Sequence, residues 1–357
     1  MVEPDITSDI ASLREQIDQV LKERTRRYTE ELCEIGEELD PVAAALNDFV
    51  DGGKRFRPIF GYLGYLATGT QPKRSVLVAC SALELVHICA LIHDDLMDGS
   101  DTRRKKPSIH RRFSQLHRDQ SYQGDADRFG SAAAILLGDL ALVWADRILT
   151  DSGIEADALF RTMPIFNLMR DELMAGQYLD VLEGALATTS VERSLKVARF
   201  KSGKYSIERP LHFGAALAGA QNRVLEELSK YGLPLGEAFQ LRDDILGVFG
   251  NSSITGKPAG DDLREGKRTV MIAMTHARAT KEQGEKLSGL FGKPDLNDEE
   301  VSTLREIITE TGALGECERL IETLASQASD ALKLSHFDSE AKKHLDEMIK
   351  LATKRDL

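Results

Sequence analysis

Apolar positions recur at three- and four-residue spacing along most of the chain and rarely alternate, so the pattern predicts helices and no extended sheet. Helices are expected over 9–38, 41–50, 56–68, 73–98, 128–150, 156–184, 190–219, 222–248, 267–280, 299–311, 313–333 and 339–353. Loops are expected at the Gly-, Pro- and Asp-rich breaks Asp51–Gly53, Gly69–Pro72, Gly99–Pro107, Gly250–Gly266 and Gly292–Asp298. Ser75–Ile92 and Ala132–Ala145 are apolar around most of the helix and are expected at the centre of the fold. There is no repeat and no flexible linker, which points to a single all-α domain over residues 1–357, with residues 1–8 as a mobile tail.

Composition narrows the function classes. Lys and Arg number 46 against 58 Asp and Glu, a formal charge of −12, which argues against general affinity for nucleic acid or an anionic membrane. The four cysteines, Cys33, Cys80, Cys89 and Cys317, form neither a CxxC pair nor a zinc pattern, and a reducing cytoplasm is expected. The start of the chain lacks the basic and apolar regions of a signal peptide. Glu84 and His87 interrupt the most apolar stretch, so no membrane span is expected.

The chemistry concentrates in acidic clusters. The helix expected at 73–98 ends in His93-Asp94-Asp95-Leu96-Met97-Asp98. At about 100° per residue, Asp94 and Asp98 lie about 40° apart around the axis, and Asp95 is near enough for all three to be expected to face one point. Such crowding costs repulsion unless a cation sits among the carboxylates, and all-oxygen ligation suits magnesium. An isolated DDxxD string is more often a solvated helix end, but this one abuts an apolar helix. The alternating pattern of an EF-hand loop fails at Leu96 and Met97. Arg103, Arg104, Lys105 and Lys106 follow directly, and carboxylate-held metal beside guanidinium groups is what a diphosphate requires.

A second pair, Asp243-Asp244, stands in Phe239-Gln240-Leu241-Arg242-Asp243-Asp244-Ile245-Leu246-Gly247. A glycine-rich stretch with Lys257 and Lys267 comes after it. Near the start, Gly52-Gly53-Lys54-Arg55-Phe56-Arg57-Pro58 opens a helix, where backbone donors together with Lys54 and Arg57 would hold an anion.

With these motifs in this order, the chain resembles the trans-isoprenyl diphosphate synthases over residues 45 to 310, with Lys201-Ser202 as a further match. The resemblance implies the all-helical isoprenoid synthase bundle with a central substrate cavity, usually as a homodimer. It implies that Asp94, Asp95 and Asp98 bind two magnesium ions on the allylic diphosphate and that Asp243 helps hold a third. Arg103, Lys201, Lys257 and Lys267 would be ligands of the same diphosphate, and Lys54, Arg57, His87 and Arg104 would bind isopentenyl diphosphate. Gln177 and Gln240 would line the reacting centre. The catalytic set on this reading is Asp94, Asp95, Arg103, Lys201, Gln240, Asp243 and Lys257. Two departures stand out: Gly247 replaces the family's usual third aspartate, and Ser202 replaces its usual threonine.

The implied reaction ionises an allylic C–O bond, and the double bond of isopentenyl diphosphate attacks the cation in a cavity that excludes water. The growing tail would run down the helix before Asp94, where Ala90 lies about 6 Å below it and Cys89 a little deeper. Both are small, whereas the family's shortest-chain members carry aromatic residues about there. Leu83 or Val86 is expected as the floor, giving geranylgeranyl diphosphate, with farnesyl or longer polyprenyl products as alternatives. A class I terpene cyclase would need Asn/Asp, Ser/Thr and Glu at its second metal motif, which the residues around Asp243 do not supply. An inactive synthase subunit would have no need of both aspartate pairs and every basic anchor.

Overall fold

The computed structural model describes residues 9–250 and 260–354. In chain order its helices are α1 (Ile10–Cys33), a 3-10 turn (Glu37–Leu39), α2 (Asp40–Val50), α3 (Phe56–Leu66), α4 (Arg74–Asp98), α5 (Ile109–Asp119), α6 (Ala126–Thr150), α7 (Ala156–Leu186), α8 (Val191–Val197), a π-helical segment (Ala198–Glu208) and α9 (Arg209–Leu217). They continue with α10 (Asn222–Phe249), α11 (Asp261–Glu265), α12 (Val270–Arg278), α13 (Lys281–Leu290), α14 (Asp298–Glu310), α15 (Ala313–Leu334) and α16 (Ser339–Thr353). A two-stranded hairpin, β1 (Thr102–Arg103) and β2 (Lys106–Pro107), is the one sheet among the described residues. The fold is all-α, as the spacing of apolar positions predicts. The chain divides into two compact units, Met1–Met163 with Pro210–Ala220, and Pro164–Arg209 with Gln221–Leu357.

In the first unit α4 is the central element, packed on α3 and α6. By length and composition it is apolar enough to cross a membrane, contrary to the expectation from the sequence, but 78% of that apolar window is buried inside the protein. Core packing therefore accounts for its hydropathy. Helix α6 departs from the expected central position: Ile135, Leu136 and Val143 are exposed along one side, while Ala134, Leu137, Ala141 and Ala145 are buried on the other. Helix α9 approaches α3 so closely that a Cβ on Gly214 would fall 1.7 Å from the Gly61 carbonyl oxygen, and one on Gly64 would fall 2.1 Å from that of Leu211.

The second unit is organised on α10. Ala238, Leu241, Ile245 and Val248 of α10 share one core with Leu263, Val270, Met271, Leu304, Ile308, Cys317 and Ile321. The helix expected over 190–219 is three elements, because the backbone widens to π geometry over Ala198–Glu208. Glycines set the approach here too: a Cβ on Gly176 of α7 would lie 2.3 Å from the Lys201 backbone nitrogen, and one on Gly236 of α10 would lie 2.4 Å from the Gly203 carbonyl oxygen. Helix α13 was not expected, although its capping box, Thr280 with Gln283, is a readable start signal.

An ion pair at the heart of the first unit fixes the turn before α3. Arg55 is 1% exposed and adopts a left-handed φ of 53° as the N-cap of α3. Its guanidinium donates to Glu84 of α4 at 2.7 Å, to Asp18 of α1 at 2.6 Å and to the Val50 carbonyl. Removing one partner of a buried pair strands the other charge and costs about 3–5 kcal/mol. Glu84→Leu is therefore expected to lower stability by about 3 kcal/mol in urea denaturation, and Glu84→Leu with Arg55→Met to recover part of that loss.

Candidate active site

The first aspartate cluster lies at the carboxyl end of α4, where Gly99 ends the helix with a φ of 70°. Asp95 is fully buried and turns to Arg103, whose Nε donates to it at 2.9 and 3.2 Å and whose Nη2 donates as well. Asp94 and Asp98 keep the shared i, i+4 row of the helix, both half-buried. Among the described residues no group of three or more His, Cys, Asp or Glu side chains is placed to hold a metal ion by itself. Magnesium needs no such cage, because it is held by one or two carboxylates with water and substrate phosphate completing its shell.

The hairpin after α4 divides two arginines between two tasks. Its turn residues, Arg104 and Lys105, have φ values of 52° and 64°, the pattern of a two-residue type I′ turn. With Arg103 committed to Asp95, Arg104 reaches the loop before α3 and donates to the carbonyls of Phe49, Asp51 and Gly52 at 3.1 to 3.3 Å. Gly53 threads between these groups: a Cβ there would lie 3.1 Å from Arg104 Nη2, 3.3 Å from Arg55 Nη1 and 3.4 Å from Glu84 Oε1. Lys54 is exposed, Arg57 is buried, and His87 is half-buried on α4 one turn after Glu84. Burial holds the His87 imidazole well below its ordinary pKa, and the charges of Arg57, Arg104, Arg103 and Arg55 press the same way. Arg57, Arg104, Arg103 and Arg55 thus concentrate positive charge around His87, a chemistry suited to an anion.

Toward the core of α4, Leu83, Val86 and Cys89 have no exposure and Ala90 is half-exposed. Leu83 packs on Gly61 of α3, where an added Cβ would meet its Cδ1 at 2.9 Å. The Cys89 thiol lies 3.7 Å from His93 Nδ1.

In the second unit, the close glycine contacts bring α7, the π segment and α10 together. Lys201 donates to Asp180 of α7 at 2.6 Å. Gln177 lies on the same helix three residues earlier, and Ser202 beside Lys201 is half-buried. Gln240 of α10 donates to Asp244 at 2.6 Å. Asp244 is pushed up to about 8, first by burial and then by the charge of Asp262, with Asp243 and Asp180 adding to it against the Gln240 bond. Lys267 pairs with Glu265 at 2.9 Å and reaches Asp262 at 3.8 Å. A Cβ on Gly247 would lie 1.9 Å from an Asp262 carboxylate oxygen, so that carboxylate occupies the space beside the glycine. Lys257 falls outside the described residues. Asp180 and Asp262 were missed in the sequence; the signal for Asp180 was its place three residues after Gln177, on one helix face. Carboxylates this crowded, with lysines alongside, fit a divalent cation and the diphosphate it accompanies.

The polyprenyl synthetase family model matches residues 40–308 of the chain. The chain belongs to this family, the trans-isoprenyl diphosphate synthases. A geranylgeranyl diphosphate synthase of Methanosarcina mazei is 34% identical over 282 residues, covering 79% of this synthase and 79% of its own length. A geranylfarnesyl diphosphate synthase of Aeropyrum pernix is 29% identical over 317 residues, covering 87% of this chain and 93% of its own. The synthase also superposes on a crystal structure of a Corynebacterium glutamicum geranylgeranyl pyrophosphate synthase complexed with isoprenyl diphosphate and magnesium. That comparison has a TM-score of 0.94 at 39% identity, over 98% of this chain and 100% of the other.

The raised pKa of Asp244 has a stability consequence. An unfolded aspartate releases its proton near pH 4, whereas folded Asp244 keeps it to about 8. Because the native state then binds more protons, stability falls as pH rises between those values. Asp244→Asn removes this loss, so melting temperatures of variant and wild type are expected to diverge steadily from pH 4 to pH 8, with the variant higher. Parallel curves across that range would show that Asp244 ionises normally.

Proposed function

We propose that this synthase condenses isopentenyl diphosphate with allylic diphosphates to make geranylgeranyl diphosphate, releasing diphosphate. The observation that carries the product length is the surface of α4 before Asp94. Ala90 and Cys89, one turn down, are small and no aromatic side chain stands at these positions, while Leu83 and Val86 follow further along the helix and are fully buried. The Corynebacterium and Methanosarcina relatives, both named for the same product, support the reading.

In this reading Lys54, Arg57, His87 and Arg104 hold the diphosphate of isopentenyl diphosphate, and the guanidinium groups orient it by fixed hydrogen bonds. Asp94, Asp95, Asp98 and Asp243 would hold the magnesium ions, three in all, which would neutralise the allylic diphosphate and the charge that grows as it leaves. Arg103 both orients Asp95 and presents its remaining donors to the diphosphate. Lys201, Lys257 and Lys267 add positive charge, and Ser202 and the amides of Gln177 and Gln240 supply polar contacts beside the reacting carbons. The proton lost after condensation has no side-chain base assigned to it, and the departed diphosphate takes it.

Incubation with isopentenyl diphosphate and dimethylallyl, geranyl or farnesyl diphosphate, with and without magnesium, tests this directly. A magnesium-dependent product ending at twenty carbons is expected, and Leu83→Ala or Val86→Ala should lengthen it. Unchanged length in both variants would remove the α4 floor; no elongation from any starter would sink the synthase assignment.

We also propose a homodimer. Phe129, Leu136 and Val143 of α6 are exposed by 37%, 61% and 60% and recur at seven-residue spacing on one helical face. A second copy of the chain is the occupant that the family resemblance supplies. Leu136→Glu with Val143→Glu is expected to convert a dimer to a monomer in light scattering; an unaltered mass would place the interface elsewhere.

A further inference from the structure

Helices α15 and α16 lie beyond residue 308, where the family model ends. Both nevertheless grip the helix that carries the second aspartate pair, and they do so through the residue next to it. Arg242 of α10 is 9% exposed. Its Nη1 and Nη2 donate to the two carboxylate oxygens of Glu318 on α15 at 2.7 and 2.5 Å, a two-pronged pair. Its Nε donates to the Thr353 carbonyl, in the last turn of α16, at 2.8 Å. That carbonyl is among those left without an intrahelical partner at a helix end, and a cation there also complements the helix dipole.

A second clasp stands three turns earlier. The Tyr231 hydroxyl, fully buried, donates to the Leu345 carbonyl of α16 at 2.8 Å. Eleven residues separate Tyr231 from Arg242, which on a helix returns to within about 20° of the same face. Asp244 lies about 200° round from Arg242 and Asp243 about 100°. The two clasps therefore hold α10 from the side away from Asp244, leaving Asp244 turned toward Gln240 and the charges of Asp262 and Asp180.

We infer that Arg242 is a positioning residue for the metal-bound diphosphate: through Glu318 and the end of α16 it fixes the rotation and height of α10, and with them the placement of Asp243. This rests on the reading of Asp243 as a metal-binding residue. Such outer groups set the geometry of ligands they never replace, and their loss typically weakens metal binding about 10- to 100-fold.

The test uses the full chain, wild type and Arg242→Met, titrated with Mn2+ in the presence of inorganic diphosphate and read by electron paramagnetic resonance, with circular dichroism to establish folding. The variant is expected to bind Mn2+ about tenfold more weakly. Its KM for the allylic diphosphate should rise while that for isopentenyl diphosphate stays within about twofold, since Lys54, Arg57 and His87 belong to the first unit. Glu318→Gln, which keeps the side-chain volume, should shift both quantities in the same direction by a smaller factor, and it carries the test if Arg242→Met does not fold. Wild-type binding matched by folded variants overturns the inference alone, as does an equal rise in both KM values. A wild-type protein that binds no Mn2+ with diphosphate overturns the functional reading and this inference together.

Discussion

Taking a guanidinium and a carboxylate out of water costs several kcal/mol for each ion, and the cost is recovered only where geometry and further hydrogen bonds are complete. Arg55 meets that condition by reaching three elements at once: α1 through Asp18, α4 through Glu84 and the end of α2 through the Val50 carbonyl. The turn between α2 and α3 has no freedom left once those bonds form. Lys54 precedes Arg55 on that turn, Arg57 lies in the first turn of α3 just after it, and His87 sits one turn beyond Glu84. A single buried charge thus fixes the backbone from which Lys54 and Arg57 extend and the helix turn that carries Glu84.

Close backbone approach does the corresponding job in the second unit. At Gly176 and Gly236, helix backbones meet where any side chain would have to displace main-chain atoms, so α7, the π segment and α10 have one mutual position. The π geometry belongs to the same constraint. A widened segment changes which residues share a face, and it brings Lys201 onto Asp180 while Gly203 backs against Gly236. Helical strain of this kind is common at functional sites because regular packing would aim the side chain elsewhere.

How much of this was legible in the sequence follows from the range of the interactions involved. Helices α4 and α10 and both aspartate clusters rest on local periodicity, which a linear reading captures. The type I′ hairpin was invisible because its turn residues, Arg104 and Lys105, are not the Asn or Gly that normally announce it. The rotation of Asp95 toward Arg103 could not be read from helix angles, since it depends on a partner eight residues away on a different element. The π segment has apolar spacing close enough to α-helical that one helix was expected over 190–219. The exposed side of α6 misled for a further reason: in a linear sequence an apolar helix surface reads the same whether the fold buries it or leaves it exposed.

The two sites share an electrostatic logic with opposite signs. His87 is held neutral by burial and four arginines, and Asp244 is raised to about 8 by burial and neighbouring carboxylates. In each case burial disfavours the charged form first, and an excess of like charge around the group acts in the same direction. Opposite charge brought to either place would act against that suppression, an anion at His87 and a cation at Asp244. Keeping one member of each cluster neutral lets the protein gather like charges without the full cost of ionising every group.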